Sequence, residues 1–320
     1  MLIAQKTSGE KILAQECLKS EKDLLCPLCK QPVILKKGTI KIPHFAHLRR
    51  EDCQSFSEGE TQEHLQNKLF LQKWTQKGVL EAYLPELKQR PDLLLDFLAI
   101  EVQCSSLKIE RFMERTNNYL KHGYHPWWLL GKKLGPNKLQ QPFTTLQKAV
   151  TYYSKQKGFF LWLIRADSKE IWLLYDLHWH FQGNVHFKIK KWHFLEVPLS
   201  QMFQFQVNRT PFQWGQNDYR MHLQKKLMTE QEGARRLQEK IYLQGGNLLD
   251  LPSWCYEASP YQFFFEDQLL FLRFSFLQTK NYQEWLEQLK NLEFSWLFPL
   301  ASQKLILEEI YNECIFLSKK

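Results

Sequence analysis

Three cysteines and two histidines near the start of the chain have the residue types and spacing of a zinc site. Cys26 and Cys29 form a CxxC pair, whose thiolates can turn onto one metal ion, and His44, His47 and Cys53 follow. A compact set of three Cys and one His is typical of a tetrahedral structural zinc site. We predict Cys26, Cys29, His47 and Cys53 as the ligands, with His44 as the alternative to His47. Four protein ligands leave no open coordination position, so this zinc would stabilise the segment.

A second group of polar residues lies on two neighbouring strand candidates. Asp92 follows Arg-Pro at the start of one strand, and Glu101 and Gln103 lie in the next strand, in the sequence IEVQ. Alternate strand residues share a face, so Glu101 and Gln103 point the same way, and a hairpin would bring Asp92 to the same edge. Buried carboxylates need a partner. We therefore predict that Asp92 and Glu101 bind magnesium, with manganese as a substitute.

The helices before and after these strands carry further candidates. Glu60, His64 and Lys68 are spaced four residues apart and share one helix face. Arg111 and Arg115 have the same spacing on the next helix, where they could bind phosphate or hold the carboxylates. Both rows could also be ordinary solvated faces. Their order around the two carboxylates favours a catalytic site.

This order of motifs resembles the competence protein CoiA family. The residues that carry the resemblance are CPLC, HFAH and a further Cys, then ExxxH, RPD and IEVQ, within about the first 130 residues. The second half of the pattern resembles the PD-(D/E)xK nuclease fold. From about residue 160 onwards we match no motif.

The resemblance implies a role in natural transformation, in which the protein processes or recombines incoming DNA. By the family pattern, Asp92 and Glu101 bind the metal, and Glu60 and His64 occupy the acidic and His positions of the first helix. Gln103 stands where such nucleases usually have lysine. We therefore expect Glu60, His64, Asp92, Glu101 and Gln103 to form the catalytic group.

The glutamine is a departure with a chemical consequence. A glutamine can orient a water molecule by hydrogen bonding, but it brings no positive charge that would lower the pKa of that water. Cleavage would then be weak, absent, or supported by another lysine such as Lys68 or Lys108.

The elements that must position these residues form a mixed α/β arrangement. Expected are a helix over 57–78, strands over 79–84, 92–95 and 98–104, a helix over 106–122, a strand over 126–131 and a helix over 143–156. Together they predict a mixed sheet flanked by helices, of the restriction-endonuclease-like kind that the resemblance implies.

Four regions follow along the chain. Residues 1–56 form an N-terminal hairpin and zinc-binding segment, and 57–158 the nuclease-like domain. Residues 159–199 alternate with period two and predict an antiparallel β insertion, whereas 200–320 predict a helical C-terminal domain.

Charge and composition narrow the function. The net charge of +9 divides into +10 on the first 199 residues and −1 on the remainder, which favours a polyanionic partner for the first part. Lys37, Arg49, Lys68, Arg111 and Arg115 are the candidate DNA contacts. The sequence contains neither a signal-peptide pattern nor a membrane span, and its uneven set of seven cysteines argues against a disulfide framework, so we expect a cytoplasmic protein.

Three functions remain open. The first is a magnesium-dependent deoxyribonuclease acting on incoming DNA, with single-stranded DNA as the expected substrate. The second is a DNA-binding protein that uses the same fold, cuts weakly or not at all, and recruits recombination proteins such as a strand-exchange recombinase or its loader. The third is a zinc-stabilised adaptor unrelated to DNA, which the basic N-terminal half disfavours.

Overall fold

The computed structural model describes residues 1–39, 41–48, 61–290 and 296–320. The strands are β1 Ile3–Gln5, β2 Lys11–Leu13, β3 Val33–Lys36, β4 His44–His47, β5 Val79–Leu80, β6 Leu93–Leu95, β7 Leu98–Gln103, β8 His125–Leu130, β9 Gln140–Gln141, β10 Tyr152–Ser154, β11 Gly158–Arg165, β12 Glu170–Trp179 and β13 Val185–His193. The helices are α1 Gln62–Thr75, α2 Ile109–Lys121, α3 Thr145–Ala149, α4 Leu199–Phe203, α5 Gln216–Met228, α6 Glu232–Tyr242, α7 Gln262–Phe265, α8 Leu269–Leu277, α9 Tyr282–Lys290 and α10 Gln303–Leu317.

The chain forms two compact units. Unit 1 contains residues 1–135, 162–173 and 190–205, and unit 2 contains 136–161, 174–189 and 206–320. All the predicted site residues that the structure describes belong to unit 1. The fold class is mixed α/β, with strands in the order β5-β6-β7-β8-β11-β12-β13-β9 and β10 beside β11.

The N-terminal segment of unit 1 is built from two small antiparallel pairs. β1 pairs with β2, which confirms the predicted hairpin, and β3 pairs with β4. A bridge joins Gln5 to Leu25, one residue before Cys26. Their buried side chains form one small core, made of Met1, Ala4, Ile12, Ala14, Cys17, Leu24, Cys26, Val33 and Phe45.

The sheet of unit 1 places the two site strands side by side. β6 pairs antiparallel with both β5 and β7, and Leu93 lies opposite Ile100. β7 then runs parallel to β8, and β8 runs parallel to β11. A strand flanked on both sides within the sheet is buried along most of its length, and five of the six residues of β7 are buried. The predicted hairpin of 92–95 with 98–104 is confirmed.

The described bounds of the flanking helices differ from those that the sequence predicted. α1 begins at Gln62, because Thr61 is its N-cap and its side-chain oxygen accepts a hydrogen bond from the amide of His64. The predicted start at Ser57 lies outside the described residues. α2 begins at Ile109 rather than at 106, but it stops as predicted before Gly123, whose φ is +79°.

One helix prediction is wrong in unit 2. The helix predicted over 143–156 ends at Ala149, and Tyr152–Ser154 form β10, which pairs with β11. Here β-branched and aromatic residues meet a neighbouring strand, so sheet pairing outweighs helical periodicity.

The strand predicted over 79–84 is shorter than expected, because β5 ends at Leu80 and Glu81 adopts a φ of +52°. The predictions for the later part of the chain are confirmed. Residues 159–199 form the strands β11, β12 and β13, with turns at the two predicted places. Within 200–290 and 296–320 the described elements are helical. Among the described residues there is no helix whose length and apolar character would let it cross a membrane.

Candidate functional site

The Cys/His residues of the N-terminal segment come together as predicted. The ligand atoms of Cys26, Cys29 and His47 lie within 4.8 Å of one another, and Cys29 Sγ is 3.3 Å from His47 Nε2. The CxxC turn supplies the two thiols, and the end of β4 supplies the imidazole. His44 instead bonds to the carbonyl of Ile42 through Nδ1, at 2.8 Å. The structure thus favours His47 over His44, while Cys53 lies outside the described residues.

The first half of the nuclease-like site surrounds Asp92, and we call it the Asp92 corner: His64, Lys68, Glu81, Arg90 and Asp92. His64 Nε2 lies 2.9 Å from Asp92 Oδ2, and the amide of Val102 donates to the same oxygen at 2.9 Å. Lys68 Nζ is 3.5 Å from Asp92 Oδ1. The face that His64 and Lys68 share on α1 is therefore directed at Asp92. Glu60, predicted on the same face, lies outside the described residues.

Lys68 is held between two carboxylates. Its side chain is fully buried, and Nζ donates to Glu81 Oε1 at 2.5 Å. Arg90 Nη1 donates to Glu81 Oε2 at 3.1 Å. A buried cation is stable only with such partners. Lys68 therefore lies in the interior of the site, and its burial does not fit the predicted role as a DNA contact.

The second half of the site surrounds Glu101, and we call it the Glu101 corner: Glu101, Arg115 and Tyr119. Arg115 of α2 forms an ion pair with Glu101 Oε1, and the Tyr119 hydroxyl donates to the same oxygen at 2.5 Å. The guanidinium also lies 5.5 Å from the ring centre of Trp128 on β8. Of the two roles predicted for Arg115, the structure favours holding a carboxylate over binding phosphate.

The two carboxyl groups are shifted in opposite directions. Burial raises the pKa of Asp92, but the nearby His64 and Lys68 outweigh it and hold that pKa well below its usual range. Burial likewise raises the pKa of Glu101; Arg115 opposes the shift, Asp92 adds to it, and the pKa reaches about 7. The negative charge of Asp92 thus contributes to the raised pKa of Glu101.

Gln103 lies near the end of β7, and its amide group is anchored. Nε2 donates to the carbonyl of Ser105 at 2.8 Å, and the residue is 6% exposed. The bond fixes the orientation of the amide, whose carbonyl oxygen is an acceptor. Gln103 can therefore orient a water molecule but cannot donate positive charge.

Two further predicted DNA contacts, Arg111 and Lys37, have local partners. Arg111 is exposed and pairs with Glu114 at 2.8 Å. Lys37 Nζ donates to the carbonyls of Gln15 and Cys17, at 2.8 and 2.9 Å. Arg49 lies outside the described residues. Arg111 therefore presents its charge on the exposed face of α2.

Asp92 and Glu101 both offer carboxylate oxygens, the ligand type that a divalent cation takes. Two interacting acidic side chains, one of them with a raised pKa, are relieved by an ion with oxygen ligands. Among the described residues, Asp92 and Glu101 do not belong to a group of three side chains close enough to hold a metal ion. The group of that size consists of Cys26, Cys29 and His47. Further ligands would then come from water or DNA, as is common for magnesium.

Sequence reasoning missed Glu81. It follows β5 in a loop, and its partners come from α1, from the loop before β6 and from the N-terminal segment. No local spacing connects these positions. The signal that was available is a lone acidic residue directly after an apolar pair.

Two family models match successive parts of the chain. Residues 5–56 match the family model "Competence protein CoiA, N-terminal domain", and residues 60–207 match "Competence protein CoiA, nuclease-like domain". The chain is 35% identical over 114 residues to "Competence protein CoiA" of Bacillus subtilis (strain 168). That match covers 33% of this chain and 31% of the relative. No solved structure matches the chain significantly.

The matched regions contain both the Cys/His cluster and the two corners of the site. The N-terminal model includes Cys26, Cys29 and His47, and the nuclease-like model spans every residue from His64 to Tyr119. The chain belongs to the competence protein CoiA family.

Proposed function

We propose that this protein acts on DNA during natural transformation, through a metal-dependent nuclease-like site of the PD-(D/E)xK kind. The observation that carries the proposal is the juxtaposition of Asp92, directly before β6, and Glu101 on the antiparallel neighbour β7, each held by side chains from a flanking helix. The reaction would be hydrolysis of a phosphodiester bond.

The residues of the site divide the work of that reaction. Asp92 and Glu101 would hold a magnesium or manganese ion, which when bound polarises the scissile phosphate and activates water. His64 and Lys68 keep Asp92 ionised and therefore ready as a ligand. Gln103, with its nitrogen bonded to Ser105, offers its carbonyl oxygen to the hydrogen of the attacking water.

Lys68 supplies the positive charge that Gln103 lacks, but it does so from the interior. Its Nζ contacts Asp92 and Glu81, and its side chain is fully buried. We propose that it acts as a positioning residue through Asp92. Arg111, exposed on α2, is the better candidate for a contact to the DNA backbone.

A nuclease assay tests the proposal. Single-stranded and duplex DNA are incubated with the full chain, with and without magnesium or manganese, and with the variants Asp92→Asn and Glu101→Gln. We expect metal-dependent cleavage that both variants lose. Glu114→Gln, on the exposed face of α2, is the control and should cut normally. Equal cleavage by all four proteins would overturn the assignment of the site.

A second function, DNA binding without cleavage, is favoured by a specific observation. Both carboxylates already have protein cations as partners, Arg115 for Glu101 and Lys68 for Asp92. In such a protein the same fold would grip DNA and recruit recombination proteins. DNA binding that weakens with salt, without cleavage in either metal, would support this alternative.

We further propose that the Cys/His cluster binds zinc. Cys26, Cys29 and His47 supply two thiolates and an imidazole, the donor set that zinc prefers, and Cys53 is the proposed fourth ligand. Metal analysis of the purified protein should give one zinc per chain, and Cys29→Ser should lose it. A protein without zinc would contradict this assignment.

The proposed partners are single-stranded DNA and a strand-exchange recombinase or its loader, and the proposed location is the cytoplasm. The +10 charge of the first 199 residues supports the first, because basic surfaces attract phosphates. Titration of labelled single-stranded and duplex DNA at several salt concentrations tests it: tighter binding of duplex would contradict the preference.

A further inference from the structure

Glu81 is a buried carboxylate of the Asp92 corner, and it is neither a proposed metal ligand nor a proposed catalytic residue. It follows β5, is 5% exposed, and has a φ of +52°. The left-handed region is unfavourable for a residue with a side chain, so surrounding contacts must hold it there. One such contact is its own amide, which donates to the carbonyl of Asp92 at 3.0 Å.

Each oxygen of Glu81 accepts two hydrogen bonds, one from the site and one from the N-terminal segment. Oε1 accepts from Lys68 Nζ at 2.5 Å and from the amide of Leu2 at 2.9 Å. Oε2 accepts from Arg90 Nη1 at 3.1 Å and from the amide of Ile3 at 3.3 Å. A carboxylate satisfies this arrangement because both of its oxygens are acceptors.

The N-terminal side of this arrangement continues to the Cys/His cluster. Leu2 precedes β1 and Ile3 begins it. At the end of this strand, Gln5 exchanges backbone hydrogen bonds with Leu25 at 2.8 and 2.9 Å. Leu25 directly precedes Cys26. A continuous series of bonded groups therefore connects the metal-ligand segment to Glu81.

We propose that Glu81 is a positioning residue that couples the seating of the N-terminal segment to the nuclease-like site, by holding Lys68 beside Asp92 while it accepts the amides of Leu2 and Ile3. The site part of this inference rests on the proposed function. The link to the N-terminal segment rests on the hydrogen bonds alone.

A glutamine at this position provides a sharp test. Its side chain has nearly the same shape, but one of its two terminal atoms is an NH₂ donor. Whichever way the amide is turned, that donor meets two other donors, either Lys68 and Leu2 or Arg90 and Ile3. Unpaired buried donors are costly, so Glu81→Gln must loosen one side of the junction.

The first measurement does not depend on catalysis. Amide hydrogen exchange of Leu2 and Ile3 is followed by NMR in protein labelled at leucine and isoleucine, for wild type, Glu81→Gln and Lys68→Met. We expect exchange at least about tenfold faster in both variants, which corresponds to about 1.4 kcal/mol of lost protection. Glu86→Gln, whose carboxylate accepts from the exposed Tyr124 hydroxyl, is the control and should exchange as wild type does.

The second measurement uses DNA cleavage. Glu81→Gln should lower kcat with KM for DNA unchanged, because Glu81 acts through Lys68. In the double variant Glu81→Gln/Lys68→Met, kcat should be no lower than in Lys68→Met alone, which a general loss of folding would not produce.

The two measurements separate the possible failures. Unchanged exchange at Leu2 and Ile3 in both Glu81→Gln and Lys68→Met overturns the link to the N-terminal segment. Independent, additive losses of kcat overturn positioning through Lys68. If wild type cuts no DNA, the proposed function fails, together with the site part of this inference, and the exchange result still decides the link. If Glu81→Gln does not fold, Lys68→Met decides it.

Discussion

The Asp92 corner and the Glu101 corner contain the same kind of group in opposite electrostatic states. Asp92 faces His64 and Lys68, and its pKa lies well below the usual range, whereas that of Glu101 is about 7 although Arg115 pairs with it. The difference lies in the number of donors. Asp92 interacts with two basic side chains and a backbone amide, while Arg115 and Tyr119 both reach the same oxygen of Glu101, Oε1.

This difference indicates which group is the permanent anion. Asp92 carries its charge throughout the physiological pH range, so it can attract a cation at any time. Glu101 is balanced between its two protonation states near neutral pH, and a bound cation would remove its proton.

Lys68 and Lys108 are the two lysines that could replace the missing motif lysine, and the largest effect is expected from Lys68. Lys68→Met should lower DNA cleavage by roughly 10²- to 10³-fold, because it removes the buried charge beside Asp92. Lys108→Met is the matched control, since Lys108 is exposed at the start of α2. Its kcat should stay within about twofold of wild type. The reverse result would indicate that Lys108, rather than Lys68, supplies the positive charge.

The next effect separates two arginines on one helix. Arg115→Met should destabilise the protein by about 3 kcal/mol at pH 8, because it leaves Glu101 buried without its cation. The loss should shrink at pH 6, where Glu101 can take up a proton. Arg111→Met removes an exposed pair and should change the free energy of unfolding by less than about 0.5 kcal/mol. Urea unfolding measures both; equal losses would contradict the assigned roles.

The pH dependence of stability should distinguish the corners directly. The pKa of Glu101 is raised from 4.5 to about 7, so the folded protein keeps a proton that the unfolded chain releases. Its contribution to stability is therefore lost as pH rises from 4.5 to 7, by up to about 1.4 kcal/mol per pH unit. Asp92 contributes stability that is lost only as pH falls below 3.8.

That contribution is measured as a difference. The free energy of unfolding of wild type minus that of Glu101→Gln, determined without metal from pH 5 to 8, should fall with pH up to about 7 and then level off. A flat difference would show that Glu101 ionises normally.

The smallest effect concerns two tyrosine hydroxyls. Tyr119→Phe should cost about 1 kcal/mol, because its hydroxyl donates to buried Glu101. Tyr124→Phe removes an exposed bond to Glu86 at 3.0 Å and should cost less than about 0.5 kcal/mol. Thermal unfolding compares the two variants, and equal shifts would argue against a buried Glu101 bond.

The parts of the site that follow from local periodicity could be predicted from the sequence. His64 and Lys68 lie one turn apart on α1 and both reach Asp92, and the 92–95 and 98–104 segments pair as expected. These relations hold whatever surrounds the helix or the strand. Cys26, Cys29 and His47 are similar, because a CxxC turn and a following hairpin bring them together over a short stretch.

The relations that depend on distant segments could not be predicted. Glu81 takes its partners from positions as far away as Leu2, and no periodicity relates them. The 143–156 segment has helical spacing, but its second half pairs with β11. Arg115 and Arg111 have identical spacing on α2, and only the packing of that helix against β7 and β8 directs one inward and the other outward.

The bonds from Leu2 and Ile3 to Glu81 also impose an order on folding while the chain is being synthesised. The amides and the carboxylate that accepts them are 79 and 78 residues apart in the chain. Although segments that leave the ribosome early can fold before later ones, β1 must wait for Glu81, and Glu101 must wait for Tyr119. Leu2 and Ile3 therefore reach their final bonds only after the 78 or 79 residues that lead to Glu81 have been added.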